Sequence, residues 1–322
     1  MSGSPKEIPI LKASARKLSA SSTDAAAIQE CWACLDGAHM RYLRAGSGPP
    51  LVLLHGLMGY SFSWRFTMPA LAPYATVYAP DMLGAGFSER AQGIDHGLQA
   101  TALRVLQLVQ QLGIWSFDLL GTSHGGGVAI MAAAESLRRP DLPKINRLIL
   151  SAPINPYSAH GRRLAPFIGS RVGSALFRFV MPHSLFLYSF FHARMFGDRR
   201  NMPADSGPGY LKPMAIPGLF DHGLGIVSTW TADLRKLEAV LPEVGRIPTL
   251  FIWGSKDSAV FLSSAKPLAQ YFPNSRLVVF PGVGHLPYEE CPDDFNRALI
   301  EFLTNTPGAL SGNGGLTVGP RG

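Results

Sequence analysis

Apolar residues in this chain fall into two kinds of stretch, and the two alternate. Short continuous runs at 51–55, 76–79, 117–120 and 147–151 read as strands. A run that is apolar throughout, rather than at every second position, suits a strand covered on both faces of a parallel sheet. Residues 29–35 and 39–45 flank Asp36-Gly37, a turn pair that favours a hairpin. Between the runs, 63–71, 97–112 and 128–137 are expected to be helical. The second of these carries Leu98, Leu103, Leu106, Val109 and Leu112 at helical spacing. After a long interruption the pattern resumes with a strand at 249–253, a helix at 262–271, a strand at 276–280 and a helix at 292–303. Strands alternating with helices predict an α/β fold, a mostly parallel central sheet flanked by helices.

The interruption defines the domain organisation. Residues 29–153 and 243–305 form the expected core, and 154–242 are expected to be an inserted, mainly helical cap, too long for a plain loop. The two ends, 1–28 and 306–322, are rich in Ser, Ala, Gly and Pro and lack periodicity, so both are expected to be disordered. The cap also changes the meaning of the charge. The chain has 322 residues and a formal charge of +7, and the window from Tyr157 to Lys212 holds eight basic residues against Asp198 and Asp205. No Lys/Arg block interleaved with aromatics accompanies it, so nucleic acid is not an expected partner.

Cys31-Trp32-Ala33-Cys34 resembles a redox or zinc half-site, but the sequence has no second pair. On a strand, residues three apart point to opposite faces, so ordinary strand residues are expected there. Three cysteines in all fit a reducing, cytoplasmic compartment. No run of about 18 apolar residues is present, so no spanning helix is expected.

The chemistry starts at Gly121-Thr122-Ser123-His124-Gly125. A strand leads into this Gly-x-Ser-x-Gly and a helix leads out, the context of a nucleophile elbow. A side chain at Gly121 or Gly125 would collide with the neighbouring strand or helix. A serine hydroxyl needs a base, and the base needs an orienting acid. His285, in a Gly-rich loop after the last expected core strand, can reach over the carboxyl edge of the sheet where the elbow lies. Asp257 follows the strand at 249–253 in the same manner. The stretch after 147–151 offers no Asp or Glu as a competitor. The order Ser123, Asp257, His285 is that of the α/β-hydrolases.

On these residues the chain resembles the α/β-hydrolase fold superfamily from about 29 to 303. His55-Gly56, the Asp81-x-x-Gly84-x-Gly86-x-Ser88 corner, the elbow, Gly254-x-x-Asp257 and Gly284-His285 carry the likeness. The resemblance implies an oxyanion hole from the backbone N–H groups of Leu57 and His124, with Met58 next in register. It leaves Asp81 and Ser88 as a turn that steadies a neighbouring loop. Relatives resembling haloalkane dehalogenases and epoxide hydrolases use aspartate at the elbow, where this chain has Ser123. The His-Gly-Gly-Gly motif of one lipase and esterase group is replaced by His55-Gly56-Leu57-Met58.

The expectation is therefore a cofactor-free and metal-free serine hydrolase, acting on an ester or related acyl bond of a hydrophobic small molecule. Met58, Phe186 and Trp230 are the expected substrate contacts. A carbon–carbon (diketone) hydrolase or a perhydrolase would use the same site, and a small-molecule receptor with slow or no turnover is the reading from another class. The aromatic cap around 177–191, with its flanking arginines, suggests either packing onto the core or a greasy pocket with peripheral membrane contact.

Overall fold

A computed structural model describes residues 27–158, 165–180, 185–304 and 316–318. The chain begins with the hairpin β1 (Gln29–Leu35) and β2 (Ala38–Ala45), and then β3 (Pro50–Leu54), α1 (Thr67–Leu71) and β4 (Thr76–Pro80) follow. The next elements are α2 (Leu98–Gln111), β5 (Ser116–Thr122), α3 (His124–Arg138) and β6 (Lys144–Ser151). The cap contributes α4 (Ala165–Ile168), α5 (Arg171–Val180), α6 (Leu185–Arg194), α7 (Ser206–Leu211) and the 26-residue α8 (Leu219–Val244). The chain returns to the core through β7 (Thr249–Gly254), α9 (Ala265–Ala269), β8 (Ser275–Phe280), α10 (Pro287–Glu290), α11 (Pro292–Thr304) and β9 (Leu316–Val318). The described strands form one sheet in the order β1-β2-β4-β3-β5-β6-β7-β8-β9. It is antiparallel at the hairpin end and parallel from β4 and β3 onward.

The continuous apolar runs have the cause expected of them. Val52 and Leu54, with Leu148, Leu150, Phe251 and Trp253, point to the face covered by α2, α3 and α8. Their neighbours Leu51, Leu53, Ile149, Leu250 and Ile252 point to the other face, covered by α1 and α11. Successive strand residues alternate faces, and both faces are dry, so the run is apolar at every step.

Four expectations need correction. The helix expected at 63–71 is split into a 3-10 turn, Ser61–Trp64, and α1. Pro69 lacks the N–H that a helix interior needs and is best tolerated in a first turn, where the split places it. The helix expected at 262–271 is likewise a 3-10 turn, Leu262–Ser264, followed by the short α9. The cap boundary expected at 242 falls inside α8, a helix that runs unbroken from the cap into the core. Its Leu237, Leu241 and Val244 are fully buried there. Finally, Leu316–Val318 lies in the tail expected to be disordered, yet it pairs in parallel with β8. Without it β8 would present unpaired N–H and C=O groups as a sheet edge, a template that Leu-Thr-Val fits. The rest of that tail, and residues 1–26, lie outside the described residues. Cys31, Cys34 and Cys291 are all free thiols.

Candidate active site

β5 ends against α3 in a turn with no slack. Ser123 adopts φ 52 and ψ −119, a conformation that L-residues rarely occupy. The neighbours hold it there. The Ser123 N–H donates to the carbonyl of Ser151 at 3.0 Å, and its carbonyl accepts from Gly126 and Ile154. A Cβ on Gly121 would overlap the backbone of Gly125, and one on Gly125 would overlap the carbonyls of His55 and Leu54. The collisions expected from sequence are therefore present at both glycines.

The loops after β7 and β8 bring Asp257 and His285 together. Nδ1 of His285 lies 2.8 Å from Oδ2 of Asp257, and both residues are buried. The other carboxylate oxygen, Oδ1, accepts the backbone N–H groups of Ala259 and Val260, each at 2.8 Å. Those two bonds fix the plane of the carboxylate. With Nδ1 engaged, Nε2 is the ring nitrogen left to take a proton. His285 is also held from the cap, since its N–H donates to the carbonyl of Met195 at 2.6 Å. Ser123 and His285 both line one cavity of about 390 Å³, although no Ser123–His285 hydrogen bond is formed. Catalytic hydrogen bonds are often open in the absence of substrate, and rotation about Cα–Cβ swings the hydroxyl.

Of the two residues proposed as oxyanion donors, Leu57 lines the cavity and His124 directly follows Ser123 at the start of α3. Gly56 packs so closely that a Cβ on it would meet Cβ of Ser123 at 3.2 Å, which keeps the Leu57 loop against Ser123. His55 anchors that loop from behind. Its Nδ1 bonds the Gly56 carbonyl at 2.9 Å and its Nε2 accepts the Met82 N–H at 3.0 Å, the pattern of a neutral ring. Burial holds its pKa down, consistent with a structural histidine. Met58 follows with φ 59, a left-handed turn whose residues still line the cavity. The backbone N–H groups of Leu57 and His124 have no backbone acceptor outside the helix ladder, so both remain available to a ligand. The His124 ring, by contrast, is buried with neither nitrogen hydrogen-bonded among the described residues, and burial pushes its pKa down to about 3. The Asp81 corner is a brace. Its carboxylate accepts from the N–H groups of Ser61 and Phe87 and from Arg41, and Ser88 Oγ donates to its carbonyl.

Of the expected substrate contacts, Met58 and Trp230 line the cavity. Phe186 lies on α6, but its side chain falls outside the described residues. Sequence reasoning missed the polar end of the cavity. Tyr210 donates to Oε1 of buried Glu289 at 2.5 Å and bonds Ser63 at 2.9 Å. Ser206 bonds Glu289 and His192, and Arg65 neutralises the carboxylate at 3.0 Å. The partners of Glu289 lie 79 to 224 positions from it in sequence, so no local motif announces them. Tyr210, His192 and Ser63 all line the cavity, whose remaining wall is mostly apolar.

The family model described as alpha/beta hydrolase fold matches residues 49–292. The chain belongs to that family. Haloalkane dehalogenase 2 of Mycobacterium tuberculosis is 27% identical over 277 residues, covering 84% of this chain and 93% of its own length. The 2-hydroxy-6-oxo-2,4-heptadienoate hydrolase of Pseudomonas putida is 26% identical over 264 residues, covering 80% and 90%. Among solved structures, epoxide hydrolase CorEH without ligand superposes with a TM-score of 0.72 at 26% identity, covering 85% of this chain and 98% of that one. A hydrolase function is therefore supported, on an α/β-hydrolase fold with a helical cap after β6.

Proposed function

We propose that this alpha/beta hydrolase cleaves an ester or related acyl bond of a hydrophobic small molecule, with Ser123 as nucleophile, His285 as base and Asp257 as its orienting acid. The observation that carries the reading is Ser123 at the strained turn, on one cavity with a histidine whose Nδ1 is already bonded to a buried carboxylate. Ser123 Oγ attacks the acyl carbon while Nε2 of His285 takes its proton. The N–H groups of Leu57 and His124 receive the charge that develops on the carbonyl oxygen. The imidazolium returns the proton to the departing alcohol, and an acyl-enzyme remains. Water, deprotonated by the same Nε2, then releases the acid and restores the serine.

The nucleophile separates this chain from the chemistry in the names of two relatives. Displacing a halide or opening an epoxide with a serine would leave an alkyl ether, which hydroxide from a His-activated water does not cleave. An aspartate would leave an ester, which it does. Serine at the elbow therefore favours substrates with a carbonyl carbon. The carbon–carbon reading, favoured by likeness to the heptadienoate hydrolase, is compatible with serine but meets a different objection. A dienoate brings a carboxylate, and among the described residues no Arg or Lys lines the cavity. Burying that anion without a cation is costly.

The test is labelling with a fluorophosphonate probe, followed by p-nitrophenyl esters of rising chain length. Labelling lost in Ser123→Ala, strongly reduced in His285→Ala, and turnover peaking at one chain length are the expected results. A folded wild type that does not label would move the receptor reading to the front.

A further inference from the structure

The cap wears its apolar residues on the outside. Along α5, Val172, Leu176 and Phe179 follow at the spacing of one helix face, and that face is turned to solvent. Val172 is 73 % exposed and Leu176 is 52 % exposed, values ordinarily found for charged residues. Phe167 on α4 and Phe190 and Phe191 on α6 extend the patch. Exposed apolar side chains on three helices that share one cavity mark a place where something binds.

Charge says what binds. The sequence contains no Asp or Glu from Leu142 to Gly197, so α4, α5 and α6 carry only cations: Arg171, Arg178 and Arg194. Arg178 is paired with Asp221 at 2.7 Å, while Arg171 and Arg194 have no ion-pair partner among the described residues. Exposed aliphatic and aromatic side chains ringed by arginines are the composition of a helix lying in the interface of an anionic bilayer. The cavity is continuous with this surface. Ile168, Phe177 and Phe191 come one each from α4, α5 and α6 and line it, and Phe191 is also 54 % exposed.

We propose that the outer face of α4, α5 and α6 docks on an anionic lipid surface, with the mouth of the cavity against the acyl region, so that apolar substrate enters from the bilayer. The hydrolase reading decides only what happens to a molecule once inside; docking does not depend on it.

The experiment is co-sedimentation of the full chain with vesicles of phosphatidylcholine alone and of phosphatidylcholine mixed with phosphatidylglycerol. The wild type is expected to pellet with the anionic vesicles and to be released by salt. Val172→Glu with Leu176→Glu is expected to lower the partition about tenfold or more, because both apolar insertions are lost and two anions added. Arg171→Gln with Arg194→Gln, at surface positions, should weaken binding to anionic vesicles while leaving the melting temperature unchanged. Ser123→Ala should pellet like the wild type, which separates failed docking from failed hydrolysis. The proposal is overturned if the wild type stays in the supernatant with anionic vesicles, or if the folded Val172/Leu176 variant pellets undiminished. It is equally overturned if light scattering finds a dimer that this variant dissociates, since a second copy would then own the face.

Discussion

Replacing Asp257 with asparagine separates the orientation of the base from the shape of the site. The carboxylate makes three bonds, two from Oδ1 to the Ala259 and Val260 N–H groups and one from Oδ2 to His285 Nδ1. Asparagine can keep its carbonyl oxygen toward the two backbone donors, which fixes its NH2 toward His285. Two donors cannot share a hydrogen, so Nδ1 must become the lone-pair nitrogen and the proton moves to Nε2. The base is then blocked on the side facing Ser123. For the proposed triad the wrong tautomer should cost about ten-thousandfold in kcat, or about 5.5 kcal/mol at about 1.36 kcal/mol per tenfold. Asp257→Ala should lose comparable activity and also strand the two N–H groups. With about 1–3 kcal/mol for a buried donor left unpaired, the alanine variant should be the less stable of the two. The assay is p-nitrophenyl acetate hydrolysis beside urea denaturation for wild type, Asn and Ala. An asparagine variant that folds normally and retains activity within about tenfold of wild type would refute the reasoning, because the tautomer argument permits no such residue of function.

Other expectations follow from single contacts. Gly125→Ala drives a methyl into the His55 and Leu54 carbonyls, so soluble folded protein should fall sharply, read as yield and melting temperature. Trp230→Ala removes a large piece of the cavity wall and should move the preferred ester to a longer chain; an unmoved optimum would exclude Trp230 from the acyl side. Burial pushes the pKa of His124 down to about 3 in the fold, so its ring is neutral above that value, against an ordinary 6.5 when unfolded. The unfolded state therefore binds the extra proton between those values, and stability falls as pH drops through that window. The slope contributed by this ring approaches about 1.4 kcal/mol per pH unit at most. His124→Phe should flatten the acid limb of a urea-midpoint against pH curve, which also contains the burial-depressed His55 and His222.

The core was legible because its signals are local. A strand dry on both faces is apolar at every position, and the elbow confines its whole requirement to Gly121, Ser123 and Gly125. Asp257 and His285 could be placed because each follows a strand whose carboxyl end faces the same edge. What stayed hidden depends on distance along the chain. Glu289 gains meaning only when Arg65 and the α7 pair Ser206 and Tyr210 arrive from two other segments. β9 is three residues among glycines, and only the open edge of β8 gives it a partner. The reach of α8 into the core was missed because Pro242 reads as a terminus, whereas it sits in the last turn of a helix already packed on α3.

That single helix also says where this protein could be cut and rejoined. α8 starts at Gly218, whose φ of 92 makes a sharp break with everything before it. From there the helix supplies Gly223, Val227 and Trp230 to the cavity and ends among core leucines. Chain from about Pro156 to Gly218 is thus a cassette with a joint at its far end, while α8 is part of the chassis. A chimera that imports another relative's cap should exchange residues up to Gly218 and keep α8. Grafts spliced at Pro242 would cut inside α8, between the buried Leu241 and Val244, and take a wall of the core with them.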